Sequence, residues 1–243
     1  MMSSVIIIPA RYASVRLPGK VLLSETGKYL IQHVYERAIS AKRPSRVIIA
    51  ADDERVVKAV KLFGGEVVLT TGEHSTGTNR VAEVARNLDA EIIVNLQADE
   101  PEIEPASIDL LIDTLSNSPD VNVATLAARL HDYSILENPN VVKVVKDLSD
   151  NTLYFSRSEI PYERSYVEGG DYFFAHIGIY AYRRDFLLQL VEWEQTLLEK
   201  VEKLEQLRIL ERGHKVRIVI IDRFHRGVDT PEDYKEFTER HKV

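Results

Sequence analysis

At 243 residues, 44% apolar and 28% charged, the chain is long enough to bury a full core as one large α/β domain or as two lobes, and its composition excludes disorder. The 31 Lys+Arg against 38 Asp+Glu give a net charge of -7, the wrong sign for a protein whose main partner is a nucleic-acid backbone, so any anionic ligand must be held by a local cluster of cations. The lack of cysteine excludes a disulfide framework, thiolate zinc and a cysteine nucleophile, and points to a reducing cytoplasm; the opening residues have the pattern of neither a signal peptide nor a membrane span.

The run Val5-Ile6-Ile7-Ile8 reads as a buried parallel strand, near 5–9, that empties into ProAlaArgTyrAlaSerValArgLeuProGlyLys at positions 9 to 20. Such an exit suits a phosphate-binding loop at the carboxyl edge of a sheet. Arg11, Arg16 and Lys20 supply charge, Pro9 and Pro18 stiffen the chain, and Gly19 permits close backbone approach. The loop lacks the three glycines of a dinucleotide fingerprint and has Val21 where a P-loop needs Ser or Thr, which points away from dehydrogenases and P-loop NTPases. Taken alone, the segment also fits a solvated basic turn.

Amphipathic stretches near 29–42, 53–63, 78–88 and 105–117 alternate with β-branched runs near 46–50, 65–70 and 91–96, the order expected of a parallel sheet flanked by helices. Ahead of the third helical stretch, His74-Ser75-Thr76-Gly77-Thr78-Asn79-Arg80 offers hydroxyls, amides and a glycine that could read a base edge or phosphate oxygens. It equally fits a polar turn that caps the helix through Thr76 or Thr78. The run 91–96 ends in Gln97-Ala98-Asp99-Glu100-Pro101, placing acids at a strand exit beside the basic loop, and GlyValAspThrProGluAsp at 227–233 offers Asp229 as a partner. Two carboxylates plus substrate phosphates and waters form the donor set magnesium favours. Either aspartate could instead cap a helix, but their joint occurrence with the basic loop points to a metal–phosphate site.

Past residue 130 the alternation changes character. Stretches 141–145 and 173–182 read as strands, 185–213 as a charged double helix, and 216–221 as a strand; Thr230 and Pro231 open a last helix as N-cap and first residue. The expected organisation is a nucleotide-binding core over 1–130, a second lobe over 131–213, and a segment over 214–243 that completes the core. Arg157 and His176 lie on or beside apolar strands of the lobe, where charge is costly unless paired or facing a cleft. A substrate carboxylate or an internal acid would satisfy Arg157 equally well. Glu202, Glu205 and Gln206 fall on neighbouring turns with Val201, Leu204 and Leu207 turned to the core, a pattern that also fits a solvated face or a dimer helix.

The phosphate-loop segment, AsnLeuGlnAlaAspGluPro, AsnValValLysValVal, LeuTyrPheSerArgSer, HisIleGlyIleTyr, LeuGluGlnLeuArg and GlyValAspThrProGluAsp follow one another as in bacterial 3-deoxy-manno-octulosonate cytidylyltransferases, the CMP-Kdo synthetases, and the chain resembles that family over almost its whole length. The resemblance implies a Rossmann-like α/β nucleotidyltransferase fold, with a mostly parallel central sheet and an inserted sugar-binding and dimerisation lobe. It implies activation of the sugar acid Kdo by CTP with release of pyrophosphate for lipopolysaccharide synthesis, in a Mg2+-dependent homodimer; the composition adds the expectation of a cytoplasmic protein with neither nucleic-acid nor membrane partner. On this resemblance Pro9, Ala10, Arg11, Arg16, Lys20, Thr76, Gly77, Thr78, Arg80 and Gln97 hold the nucleotide, and Asp99 and Asp229 hold the metal. Lys20, Arg16, Asp99 and Asp229 form the catalytic group; Gln97, Arg157, His176, Tyr180, Glu205 and Gln206 hold the sugar.

Two positions depart from the family pattern: Ala98 stands where a glycine is usual, and Asn79 where an acid is usual. The expectation is an ordinary φ at Ala98 and a methyl that trims the sugar pocket. These departures bear on which sugar acid is used, with amino-Kdo or a sialic-acid-like sugar as alternatives, and on stringency for cytosine. A nucleotide-binding regulator without turnover would be expected to lack a metal carboxylate, and both are present.

Overall fold

The computed structural model describes residues 2–14, 16–130, 133–168, 172–224 and 226–241; Val15, inside the basic loop, lies outside them. Nine strands form one sheet: β1 (Ser4–Ala10), β2 (Arg46–Ala51), β3 (Val67–Leu69), β4 (Ile92–Leu96), β5 (Val123–Arg129), β6 (Lys143–Lys146), β7 (Thr152–Ser156), β8 (Phe174–Arg183) and β9 (Val216–Ile221). The main order is β3-β2-β1-β4-β8-β5-β9, with β6 joined to β8 and paired with β7. Pairing is parallel from β3 through β4 and between β5 and β9; β8 runs antiparallel to both of its main-sheet neighbours.

All residues of β1 are buried, and alternate ones enter opposite layers: Ile6 and Ile8 pack with Val34, Val94 and Leu111, while Val5 and Ile7 pack with Val81, Ile93 and Leu187. Helices on both faces make this burial possible: α1 (Leu30–Ile39), α2 (Glu54–Leu62) and α4 (Pro105–Ser116) serve the first layer, α3 (Gly77–Ala85) and α5 (Arg184–Leu190) the second. The stretch 185–213 is a series of short helices rather than a double one, because α5, α6 (Leu197–Glu202) and α7 (Leu207–Glu211) are separated by the turn at Trp193 and by a left-handed residue at Lys203. The last helix, α8 (Pro231–His241), starts as expected: Asp233 N donates to Thr230 Oγ1 at 3.2 Å, and Thr230 N donates to Asp233 Oδ2 at 2.8 Å.

β5 has no counterpart in the sequence reading. β8, expected in the second lobe, also occupies the middle of the main sheet. Its register pairs Leu96, the last residue of β4, with Ile179, so His176 and Gly178 project past the end of β4 and lie beside the turn that carries Asp99. Antiparallel insertion at this point brings lobe residues to the carboxyl edge of the parallel strands, where ligands bind in open α/β sheets.

Candidate active site

Three sequence-distant exits converge on one point. Lys20 Nζ lies 2.8 Å from Asp99 Oδ2 and 3.1 Å from Asp229 Oδ1, and Arg16 Nη2 lies 3.1 Å from Asp229 Oδ1. Neither aspartate caps a helix: Glu104 precedes α4, and Thr230 caps α8. The turns are stitched by Val228 N donating to Asp99 O at 2.8 Å, and a Cβ on Gly227 would sit only 3.1 Å from that carbonyl oxygen. Burial opposes the Lys20 ammonium, but the two carboxylates outweigh it and its pKa is raised.

Two clefts open from this point. The larger, about 660 Å³, lies between the basic loop and the 75–77 loop, and its walls include Pro9, Arg11, Lys20, Thr76, Gly77 and Ala98. The smaller, about 230 Å³, is walled by Glu100, Asn140, His176, Gly178, Arg226 and others. Arg16, Gln97, Asp99 and Asp229 line both. A Cβ on Gly77 would come within 3.3 Å of Pro9 Cγ and 3.4 Å of Gln97 Oε1, so glycine lets the two loops close on each other.

The 71–76 loop is fastened from below. Glu83 accepts from Thr71 N and Gly72 N and pairs with His74, while Thr76 caps α3 and donates to Asn79 Oδ1 at 2.6 Å. Asn79 thus completes the cap with a neutral amide. Arg80 is buried behind the loop, where it donates to Thr70 Oγ1 and faces Asp52 at 3.6 Å; Asp52 in turn accepts from Tyr12 N at 2.8 Å. Ala10 is buried at the end of β1, its carbonyl accepting from Asp52 N. Thr78 also points away from the cleft walls and donates to Glu205. These three support the larger cleft without lining it.

The comparisons agree with this geometry. A family model described as cytidylyltransferase matches residues 5–218. The 3-deoxy-manno-octulosonate cytidylyltransferase of Geobacter sulfurreducens is 48% identical over 245 residues, covering 97% of this chain and 98% of the relative. That of Geotalea uraniireducens is 49% identical with the same coverage. The chain belongs to the 3-deoxy-manno-octulosonate cytidylyltransferase family. A solved structure of a CMP:2-keto-3-deoxy-manno-octonic acid synthetase complexed with CTP matches with TM-score 0.92 and 42% identity over 98% of both chains. The 4-diphosphocytidyl-2C-methyl-D-erythritol synthase of Anaerococcus prevotii, at 15% identity and TM-score 0.64 over 100% of this chain and 99% of that one, shares the fold.

The residues that the family resemblance assigns to the sugar are divided by the structure. Gln97 and His176 stand on the smaller cleft. His176 Nε2 lies 2.9 Å from Thr125 Oγ1, and because that hydroxyl donates to Ile179 O at 2.7 Å, the imidazole is the donor and keeps Nδ1 as an acceptor. Burial lowers its pKa to about 3, so the ring is neutral. Tyr180 is buried behind it, 5.3 Å between ring centroids, and stacked on Tyr182. Arg157 donates to the carbonyls of Pro139 and Glu202, both at 2.7 Å, and of Lys203 at 3.4 Å. Its satisfaction comes from backbone oxygens, an option that neither a substrate carboxylate nor an internal acid describes. Glu205 takes the Thr78 hydroxyl and faces Arg208 at 3.6 Å, and Arg208 makes a buried two-pronged pair with Glu199 at 2.8 and 2.6 Å. Gln206 is buried at the start of α7.

Ala98 is not among the left-handed non-glycine residues, which among the described residues are Asp150 and Lys203, so its φ is ordinary as expected. The residue is buried, packs with the first core layer and borders the larger cleft.

Sequence reasoning gave no role to Glu100, Asn140, Arg226 or Lys203, all of which line a cleft. Glu100 was visible in the AspGluPro turn, but its setting depends on glycines far along the chain: a Cβ on Gly178 or Gly227 would lie 3.4 Å from Glu100 Oε1. Burial, with the neighbouring Asp99 charge, pushes its carboxyl up to about 8 against the Gly178 N–H that favours the anion.

The donor set fits magnesium. Asp99 and Asp229 converge on Lys20 Nζ, with Arg16 also on Asp229, and among the described residues no group of three or more acids and histidines forms a closed metal cage. Two carboxylates on an open cleft suit an ion whose remaining ligands come from phosphates and water. No helix among the described residues is long and apolar enough to cross a membrane.

Proposed function

We propose that this chain transfers CMP from CTP to the anomeric hydroxyl of 3-deoxy-D-manno-octulosonate, giving CMP-Kdo and pyrophosphate for lipopolysaccharide synthesis. The observation that carries the reading is the meeting of two clefts at one pair of carboxylates, with Gln97 and Arg16 on both walls. A nucleotide in the larger cleft and a sugar acid in the smaller would bring their reacting atoms together at Asp99 and Asp229.

The hydroxyl oxygen attacks the α-phosphorus in line, the bond from that phosphorus to the bridging oxygen breaks, and pyrophosphate leaves. Asp99 and Asp229 would hold Mg2+, which when bound supplies positive charge at the reacting phosphate and acidifies the attacking hydroxyl. The chain itself orients and neutralises. Arg11 and Arg16 face the phosphates from the basic loop, and Lys20, beside both carboxylates on the same cleft wall, would neutralise the charge of the leaving pyrophosphate. Thr76, Gly77 and Pro9 frame the base. His176 Nδ1, held as an acceptor by Thr125, takes a sugar hydroxyl, and Gln97 positions the sugar beside the α-phosphate.

In this reading residues 1–130 and 214–243 form the nucleotide half, and 131–213 supply the sugar side and the contact between two copies. Exposed Leu197 and Val201, one turn apart on α6, and Leu153 on β7 support such a self-contact, and the lack of cysteine supports a cytoplasmic location. Pyrophosphate release with CTP and Mg2+ across Kdo, amino-Kdo and a sialic acid tests the assignment. Fastest turnover with Kdo is the expected result, and release with none of the three would overturn it.

A further inference from the structure

The turn between α6 and α7 holds an unusual residue. Lys203 sits at φ 54° and ψ 45°, a left-handed conformation that is strained for a residue with a Cβ and free of strain for glycine. The turn is over-determined: the Lys203 N–H donates to Glu199 O, Leu204 N donates to the same oxygen at 3.3 Å, and the Arg157 guanidinium ties the carbonyls of Glu202 and Lys203. Strain held this firmly at a cleft marks a position with work to do.

The exposed Lys203 side chain lines the larger cleft together with the basic loop. Four cations of that cleft, Arg11, Arg16, Lys20 and Lys203, meet two carboxylates, Asp99 and Asp229. Arg16 and Lys20 are engaged with the carboxylates; among the described residues the side chains of Arg11 and Lys203 make neither a hydrogen bond nor an ion pair. The positive charge left over for an anionic ligand therefore comes from two separate segments, the basic loop and the α6–α7 turn.

We propose that Lys203 is a phosphate contact for the bound nucleotide, and that Arg157 is a positioning residue that sets the turn from which Lys203 reaches. The inference rests on the reading of the larger cleft as the CTP site. It assigns the α6–α7 turn a part in nucleotide binding.

Calorimetric titration of CTP and cytidine into wild type, Lys203→Ala, Lys203→Gly and Lys203→Arg tests it. Loss of one partly exposed charge-assisted contact should weaken CTP about tenfold in the Ala and Gly variants, with cytidine changed less than about twofold and Arg restoring most of the affinity. The loss should shrink as salt is raised. Lys203→Gly separates charge from strain, because it should hold or raise the melting temperature while still weakening CTP. Wild type that binds no CTP overturns the reading of the cleft and this inference with it. Normal wild-type binding with unaltered CTP affinity in the Ala and Gly variants, or equal losses for CTP and cytidine, overturns the Lys203 assignment alone.

Discussion

The two halves of the site are built by different means. Of the residues that the resemblance assigns to nucleotide and metal, Pro9, Arg11, Arg16, Lys20, Thr76, Gly77, Gln97, Asp99 and Asp229 stand on the wall of the larger cleft, while Ala10, Thr78 and Arg80 lie behind it. On the sugar side, His176 stands on the smaller cleft, while Arg157, Tyr180, Glu205 and Gln206 are engaged with or buried behind other protein groups. A parallel sheet delivers the exit of each strand to one edge, so a charged residue just after an apolar run is aimed by topology alone. Lobe residues reach the same place only through tertiary packing, and their chemistry is partly spent on holding the lobe together.

The largest effect expected from that contrast lies at the junction. Asp99→Asn and Asp229→Asn should each lower kcat by at least about a hundredfold while the fold persists, since both carboxylates are partly solvent-facing and each removes charge where the transition state needs it. Steady-state kinetics at limiting Mg2+ check this, and near-normal turnover in either variant would refute the metal assignment.

On the sugar side, Arg208→Met should cost stability first. It leaves Glu199 as a buried unpaired acid, for which roughly 3–5 kcal/mol is the usual penalty, readable by chemical denaturation. In the folded fraction, Glu205 loses the cation that faces it, so the KM for the sugar acid should rise while CTP affinity stays near wild type. Equal losses for both substrates would mean that the lobe and the nucleotide cleft are a single unit, and the contrast would fail.

How much could be read in advance follows the same division. Lys20, Asp99 and Asp229 were legible because they sit at strand exits, with Thr230 as a recognisable cap behind one of them. β5 was not, since ValAlaThrLeuAlaAla is buried on both faces and offers neither alternation nor a long β-branched run. The break at Lys203 was hidden because its left-handed turn carries no glycine, and the partners of Arg157 because backbone carbonyls have no sequence signature. The setting of Ala98 was hidden for a related reason: which cleft a strand-exit residue borders depends on the neighbouring strand, here the antiparallel β8.

A smaller effect concerns pH. The depressed pKa of His176 means that the folded chain gains from its neutral ring above the unfolded value of about 6.5 and loses that stability as pH falls toward about 3. Between pH 6.5 and 5 the loss amounts to about 2 kcal/mol. His176→Gln should flatten the acid limb of denaturation curves by up to one proton; an unchanged slope would mean that the imidazole is charged in the fold.

The smallest effect sharpens the comparison at Ala98. Because Ala98 has an ordinary φ and borders the larger cleft alone, Ala98→Gly should shift CTP affinity by less than about threefold, leave the ranking of sugar acids alone, and lower stability by about 0.4–1 kcal/mol through the freer unfolded chain. A changed sugar ranking would move Ala98 back to the sugar pocket.

The central claim, that one pair of carboxylates joins a CTP cleft to a sugar-acid cleft, is tested most directly by following the label of CTP marked at its α-phosphate in the presence of Kdo and Mg2+. The α-label should pass into a sugar nucleotide, only when both substrates are present, with unlabelled pyrophosphate released in equal amount. Label that stays in CTP with every sugar acid tried, or that appears in a free phosphate, would contradict the account.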